Sequence, residues 1–317
     1  MSSSALRPFQ QLPYAQLPAH PRVPHSYLTL PSREVQIDVD GVSIRTHVKV
    51  KGKGPPLLLV HGLMTSSYSF RYVIEPLGQH FTCYVPDLPG AGQSEPVDVP
   101  YTPSFLGRFL LSLARGLGID GCACIGNSMG GLIALVAALD AHKAKTTSFA
   151  RLLVLHAPAV PLPRYRALGI AMRLPGSFAL LEALVRSDPH RFAHEKVHYQ
   201  DESLKSLEEA KVYGAPLSTT AGRRALWRYL HDTLDERLLE KLELDLQVRR
   251  DSGRRFPIPL QLQYVAYDPV VPAITGPRLR ACLPDAEYIE LAHGSHFAHV
   301  DAVDAFLPPT LAFLSKR

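Results

Sequence analysis

The pentapeptide Gly126-Asn127-Ser128-Met129-Gly130 is where this sequence first suggests chemistry. A G-x-S-x-G pattern acquires meaning from its flanks, and here the flanks are informative. Cys122-Ala123-Cys124-Ile125 is a short apolar run that reads as a buried strand. Gly131 to Asp140 is rich in helix formers and apolar on most faces. Strand, sharp turn and helix is the setting in which this pattern presents a serine as a nucleophile. Ser128 is therefore expected at the strand's end, strained and above a helix N-terminus. The bland alternative is a tight glycine-rich turn.

A serine hydroxyl is a poor nucleophile at neutral pH and needs a base, which in turn needs an orienting group. Around such an elbow the partners follow in the order serine, acid, histidine. The run Ile258–Tyr267 ends at Asp268-Pro269, where prolines block extension of the strand. Ala286–Ala292 reads as a further strand, ending at His293-Gly294-Ser295-His296. His296, expected to open the last helix after a glycine turn, is the candidate base, and Asp268 would hold its ring. His293 and His299 are rivals for that role. The end of the strand Leu152–His156 is the other position for an acid, but it offers no carboxylate.

An oxyanion requires donors. The strand Pro56–Val60 runs into His61-Gly62-Leu63-Met64, so the amides of Leu63 and Met129 are expected to face a developing alkoxide. His61 itself reads as structural.

With these residues in view, the chain resembles the α/β-hydrolase superfamily. The matching motifs are His61-Gly62, Asp87-Leu-Pro-Gly90-Ala-Gly92-Gln-Ser94, Gly126 to Gly130, and the Asp268/His296 pair, spread from about residue 34 to the C-terminus. The resemblance implies an α/β fold with a mostly parallel eight-stranded sheet flanked by helices, and a helical cap inserted after strand six. It also implies that Asp87 organises its glycine-rich turn. The run His61–Arg71 is similar to that of haloalkane dehalogenases and epoxide hydrolases. Those subfamilies carry aspartate at the nucleophile position, where this chain has Ser128.

The elements that must position these groups are legible in outline. Residues 1–33 carry six prolines and no periodicity, which suggests an extended arm with Phe9, Tyr14 and Tyr27 to bury. Strands are expected over Glu34–Asp40 and Val42–Val50, joined at the Asp40-Gly41 hairpin signal. Strand and helix then alternate, so 34–159 and 251–317 read as the core, and 160–250 as a helical cap. Within the cap, Ala167–Val185 is strongly apolar and suggests a lid over a hydrophobic acyl or alcohol group. Trp227 reads as packing rather than pocket.

Composition agrees. The 317 residues are 46% hydrophobic and 20% charged, enough for a large core. The net charge of +5 is modest, and no basic run interleaved with aromatics suggests nucleic acid. No segment has the apolar length of a membrane span, and the N-terminus lacks a signal-peptide core. The four cysteines read as packing residues in a reducing, cytoplasmic setting. His190, His194 and His198 would align on a helix but read as a hydrogen-bonded face, so no metal is expected, and no cofactor either.

The sequence thus points to a serine hydrolase acting on a carboxylic ester through an acyl-enzyme. Gly126–Gly131 also resembles the elbow of carbon–carbon bond hydrolases of ring-fission products. Acyl transfer to another alcohol and a non-catalytic ligand-binding protein remain open, as does the oligomeric state.

Overall fold

The computed structural model describes residues 7–316. Its frame is one eight-stranded sheet: β1 (Ser32–Val39), β2 (Val42–Lys51), β3 (Pro56–Val60), β4 (Thr82–Pro86), β5 (Ala123–Asn127), β6 (Arg151–Leu155), β7 (Leu260–Val265) and β8 (Glu287–Leu291). The strand order is β1-β2-β4-β3-β5-β6-β7-β8. β1–β2 and β2–β4 pair antiparallel, and the remaining neighbours pair parallel. The β1–β2 turn follows from its residues, since Asp40 and Gly41 both take positive φ, at 53° and 81°.

The central strands are apolar without alternation because helices cover both faces. On one face lie α2 (Pro103–Gly116), α3 (Met129–Ala144), α9 (Glu236–Asp251) and α10 (Thr275–Cys282). On the other lie α1 (Ile74–Gly78), α11 (Ala298–Asp301) and α12 (Val303–Leu314). Cys122 and Cys124 are both buried in the first of these layers.

The chain leaves β3 for β4 on one side and returns to β5 on the other. The loops after β3 and β5 therefore diverge and leave a crevice at the strands' C-terminal ends, the usual ligand position in such sheets.

Between β6 and β7 the chain forms helices only: α4 (Pro163–Arg173), α5 (Ser177–Arg186), α6 (Pro189–Lys196), α7 (Leu207–Gly214), α8 (Thr220–Arg228) and α9. Side-chain caps start α6 at Asp188, α7 at Ser206, α8 at Thr219 and α9 at Asp235. α8 widens into a π-type turn over Tyr229–Thr233.

The N-terminal residues from Arg7 onward run along these helices and the loop after β3. Phe9 N donates to Gln200 O at 3.1 Å and Leu207 N donates to Pro18 O at 2.8 Å. Tyr27 is buried and its hydroxyl bonds Ser67. Of the aromatic residues expected to anchor this arm, Phe9 meets the Tyr267 ring at 5.1 Å and Tyr14 the His194 ring at 5.9 Å.

A buried ion pair ties the inserted helices to the loop after β3. Arg71 Nη2 donates to Glu209 Oε2 of α7 at 2.5 Å, and neither side chain is more than 4% exposed. The guanidinium is sandwiched by Tyr68 and Tyr72, each 4.6 Å away, and Tyr199 Oη also donates to Glu209. Removing one charge from such a pair strands the other in a medium that solvates it poorly. Arg71→Met is expected to lower unfolding free energy by about 3–5 kcal/mol in urea denaturation, and Arg71→Met/Glu209→Leu to recover most of it. A single variant as stable as the parent would show that water reaches the pair.

Candidate active site

Ser128 terminates β5 with φ 54° and ψ −123°, a conformation that costs a non-glycine residue about 1–3 kcal/mol. The surroundings hold it there. Its amide donates to Leu155 O at 2.7 Å, and two glycines let the neighbouring backbones close in. A Cβ on Gly130 would stand 2.4 Å from Val60 O, and one on Gly62 would stand 2.9 Å from Ser128 Cβ. The loop after β3 is thus pressed against the serine. Met129 is the first residue of α3, where an amide has no intrahelical acceptor, and Leu63 follows Gly62 on the facing loop. Both line the same cavity as Ser128.

Asp268 and His296 come together across β7 and β8. His296 Nδ1–H donates to Asp268 Oδ2 at 2.7 Å. The other carboxylate oxygen accepts the amides of Val270 and Val271 at 2.7 and 2.9 Å. Burial alone would raise the Asp268 pKa. The His296 charge and hydrogen bond, with help from the Val271 amide, hold it below the usual range instead. His296 stands in the loop two residues before α11, not within a helix as the sequence suggested, because the helix starts only at Ala298. No hydrogen bond joins Ser128 Oγ to His296 among the described residues, but both face one cavity.

The rival residues lie elsewhere. His293 is exposed and bonds Asp304 at 3.1 Å. His299 is fully buried near the rings of Phe70, Phe297 and Phe306, and burial lowers its pKa well below the ordinary value. Neither lines the cavity.

Two residues that sequence reasoning did not single out support His296. Asn127 Nδ2 donates to His296 O at 3.1 Å. His156, at the end of β6, places Nδ1 3.1 Å from the same carbonyl, while its Nε2 accepts the Val265 amide at 2.9 Å. A ring nitrogen that accepts an amide N–H carries no proton, so His156 is the neutral Nδ1–H tautomer. Burial lowers its pKa to about 4 in agreement. The sequence signal for it is its place at the β6 end.

Asp87 accepts from Ser67 N at 2.8 Å, Ser67 Oγ at 2.6 Å and Gln93 N at 2.9 Å, and lies 3.2 Å from His47 Nδ1. It therefore ties its own turn to the loop after β3. His61 bonds within the loops, with Nδ1–H to Gly62 O and Nε2 accepting from Leu88 N.

The cavity encloses about 310 Å³. Its apolar wall comes from Leu63, Met64, Phe192, Leu226, Leu230 and Leu234, and Lys196 is the one cation among its lining residues. None of Ala167–Val185 lines it, so the lid expected from that stretch is not its wall. Tyr165 and helices α6 and α8 supply it instead. Trp227 packs on His231 with ring centroids 4.6 Å apart and is not a lining residue.

The three-histidine alignment does not form either. α6 ends at Lys196, leaving His198 beyond it. His194 bonds Leu12 O and His198 approaches Glu202. Among the described residues, the one cluster with metal-ligand geometry is His156, Asp268 and His296, whose nitrogens and carboxylate already bond one another or the backbone.

Comparison with known proteins agrees with this architecture. The family model described as alpha/beta hydrolase fold matches residues 55–303. A 2-hydroxy-6-oxo-6-(2'-aminophenyl)hexa-2,4-dienoic acid hydrolase from Metapseudomonas resinovorans is 25% identical, over 90% of this chain and 93% of that protein. Haloalkane dehalogenase 2 from Mycobacterium tuberculosis (strain ATCC 25618 / H37Rv) is 26% identical, over 82% of this chain and 88% of that one. The solved ligand-free epoxide hydrolase CorEH superposes with a TM-score of 0.70 at 21% identity, covering 90% of this chain and 99% of its own. By its sheet, its turn after β5 and this match over most of its length, the chain belongs to the alpha/beta hydrolase family.

Proposed function

We propose that this chain is a serine hydrolase that cleaves a carboxylic ester with a hydrophobic acyl or alcohol group. The observation that carries the reading is the strained Ser128 in an apolar cavity that also holds the buried His296–Asp268 pair. The relatives named for epoxides and haloalkanes belong to subfamilies that place an aspartate where Ser128 stands. An acyl-enzyme, rather than an alkyl ester of a carboxylate, is therefore the intermediate.

In the first step Ser128 Oγ attacks the ester carbonyl and its proton passes to His296 Nε2. Asp268 keeps Nδ1 protonated and stabilises the imidazolium. The negative charge gathers on the carbonyl oxygen, where the amides of Leu63 and Met129 donate to it; each such donor is worth about 3 kcal/mol of barrier. His296 then gives its proton to the leaving alkoxide as the C–O bond breaks. Water, deprotonated by His296, attacks the acyl carbon and releases the acid with Ser128 restored.

In this reading residues 160–250 act as a cap that closes the cavity, with 34–159 and 251–317 as the catalytic body and 1–33 as an arm. Of these ranges, residues 1–6 and 317 lie outside the described ones. Asn127 and His156 are positioning residues, holding the His296 backbone so that its ring can face both Asp268 and Ser128. No metal or cofactor takes part in the steps described.

A second reading has a specific observation behind it. A relative similar over nearly its whole length is named for hydrolysing a dienoic acid, and such a substrate carries a carboxylate that Lys196 could receive. The same serine and histidine would then act on a carbon–carbon bond. Turnover of p-nitrophenyl esters set against that dienoic acid separates the two readings.

Ser128→Ala is expected to lower kcat on p-nitrophenyl esters by about 10⁴-fold or more while leaving the melting temperature unchanged. Retained turnover would overturn the assignment. A second test uses the titration of His156. It is neutral when folded, with a pKa of about 4, whereas an unfolded histidine titrates near ~6.5. Between these values the unfolded chain binds a proton that the folded chain does not, so stability falls as the pH falls through this window. His156→Gln should reduce that slope by about 1.4 kcal/mol per pH unit, as read by urea unfolding from pH 4 to 6.5. An unchanged slope would mean that His156 does not titrate in this way.

A further inference from the structure

The stretch Ala167–Val185 is strongly apolar yet contributes nothing to the cavity wall. Helices α4 and α5 turn much of it outward. Ile170, Leu174, Leu180 and Leu184 are 57%, 58%, 64% and 62% exposed. Ala167, Ala171, Pro175, Gly176, Ala179 and Ala183 are exposed between them. On α4 the spacing 167, 170, 171, 174 and on α5 the spacing 180, 183, 184 each trace one helix face. The opposite face of α5 is already used, since Leu181 and Val185 pack with Leu217 and Leu226 beside Leu63 and Met64. The open apolar surface is therefore the outer side of helices whose inner side rests against the loop next to Ser128.

Its border is basic. Within 163–186 the charged residues are Arg164, Arg166, Arg173, Arg186 and Glu182, and Glu182 is engaged by Arg223 at 3.0 Å. Arg166 is 73% exposed and only 3.8 Å from its partner Glu236. Arg186 is exposed, and so is Arg224, whose guanidinium lies 4.6 Å over the Phe178 ring of α5. Neither has a carboxylate partner among the described residues. Arg173 is paired with Asp235 at 2.5 Å, so Arg186 and Arg224 are border cations free of a carboxylate. An apolar helical surface that carries them matches a layer of acyl chains beneath anionic headgroups. A second copy of the chain would set arginine against arginine across the same face. Neither helix alone is long and apolar enough to cross a membrane, and the axes of the pair bend by 98°.

We propose that the α4–α5 face docks this protein on an anionic lipid surface, with both helices lying in the headgroup region. Docking of this kind would bring a hydrophobic substrate to the side of the molecule that carries the catalytic loop. It does not depend on the ester-hydrolase reading.

The test is flotation of the full chain with vesicles of phosphatidylcholine and phosphatidylglycerol in equal parts, against pure phosphatidylcholine. The parent protein is expected to float with the mixed vesicles, more weakly with the neutral ones, and less in high salt. Leu180→Glu/Leu184→Glu should cut binding by about tenfold or more while leaving melting temperature and turnover of a soluble short-chain ester unchanged. Arg186→Glu/Arg224→Glu should remove the preference for phosphatidylglycerol. Ser128→Ala should float like the parent, which separates docking from catalysis. Failure of the parent to float with either vesicle would overturn the proposal, as would equal, salt-insensitive binding to both. A dimer in light scattering that Leu180→Glu/Leu184→Glu dissolves, without flotation, would assign the face to a second copy.

Discussion

The site depends on how closely the ends of β3 and β5 approach each other. Parallel strands of a sheet lie a fixed distance apart, and the loops leaving them normally keep side chains between their backbones. Here Gly62 and Gly130 remove those side chains where the loops cross, with virtual Cβ contacts of 2.9 Å to Ser128 Cβ and 2.4 Å to Val60 O. The positive φ of Ser128 is the other half of the same constraint. A relaxed serine would lay its hydroxyl along the helix. The strained one stands at the mouth of the crevice, between an amide at a helix start and an amide on the facing loop. The sheet's reversal of direction between β3 and β5 makes that crevice, and the register Val60 opposite Gly126 sets its width.

Strain of this kind persists only when the neighbours over-determine it. The loop after β3 is held from below by Asp87, through both the amide and the hydroxyl of Ser67. It is held from the side by Arg71, whose charge is answered by Glu209 on a helix more than a hundred residues away in sequence. The His296 carbonyl receives Asn127 and His156. These bonds converge from β4, β5, β6 and the inserted helices. Asp87, Glu209, His156 and the His296 carbonyl are thus answered by neighbours from separate elements, and in a low-dielectric interior each such bond counts for more than it would in water. The neutrality of His156 belongs to the same logic. A charged ring there would lose the Val265 amide and would repel the protonated His296 that the proposed mechanism requires.

Much of this was readable from residues alone, and the reason is local. The strand that leads to Ser128 is a short apolar run, and those before Asp268 and His296 alternate apolar with polar residues. The turn chemistry of Asp40-Gly41 and Asp87–Ser94 is equally local. What could not be read were contacts that depend on three-dimensional neighbours. Nothing in Gly-Asn-Ser marks Asn127 as a ligand of a carbonyl 169 residues away. His156 was visible as a residue at a strand end, but its partners lie on β7 and the His296 loop. The sequence suggests a helix that opens at His296 after a glycine turn, yet the helix starts at Ala298, beyond Gly294 and Ser295. In the fold they serve as a bend, with Gly294 at φ 118°.

The inserted helices show most clearly where a hydrophobic pattern stops being informative. Ala167–Val185 carries enough apolar residues to suggest a lid, and periodicity alone cannot say which face of a helix will find a partner. In the fold the inward positions are few, Leu181 and Val185 on α5 and Tyr165 on α4, and they suffice to seat the pair against the body. Leu168 also packs on the core, but Ile170, Leu174, Leu180, Leu184 and the exposed alanines have no protein to meet. Scattered exposed leucines need no explanation, but ten small or large apolar residues on two consecutive helices and the turn between them form a surface of their own. The cavity wall, meanwhile, draws on α6 and on α8 with its π-type turn, where Leu230 and Leu234 bring apolar groups to the serine. In the proposed reading, substrate selection and surface contact are divided between different helices of one insertion. Either can change in sequence without disturbing the strained turn beneath.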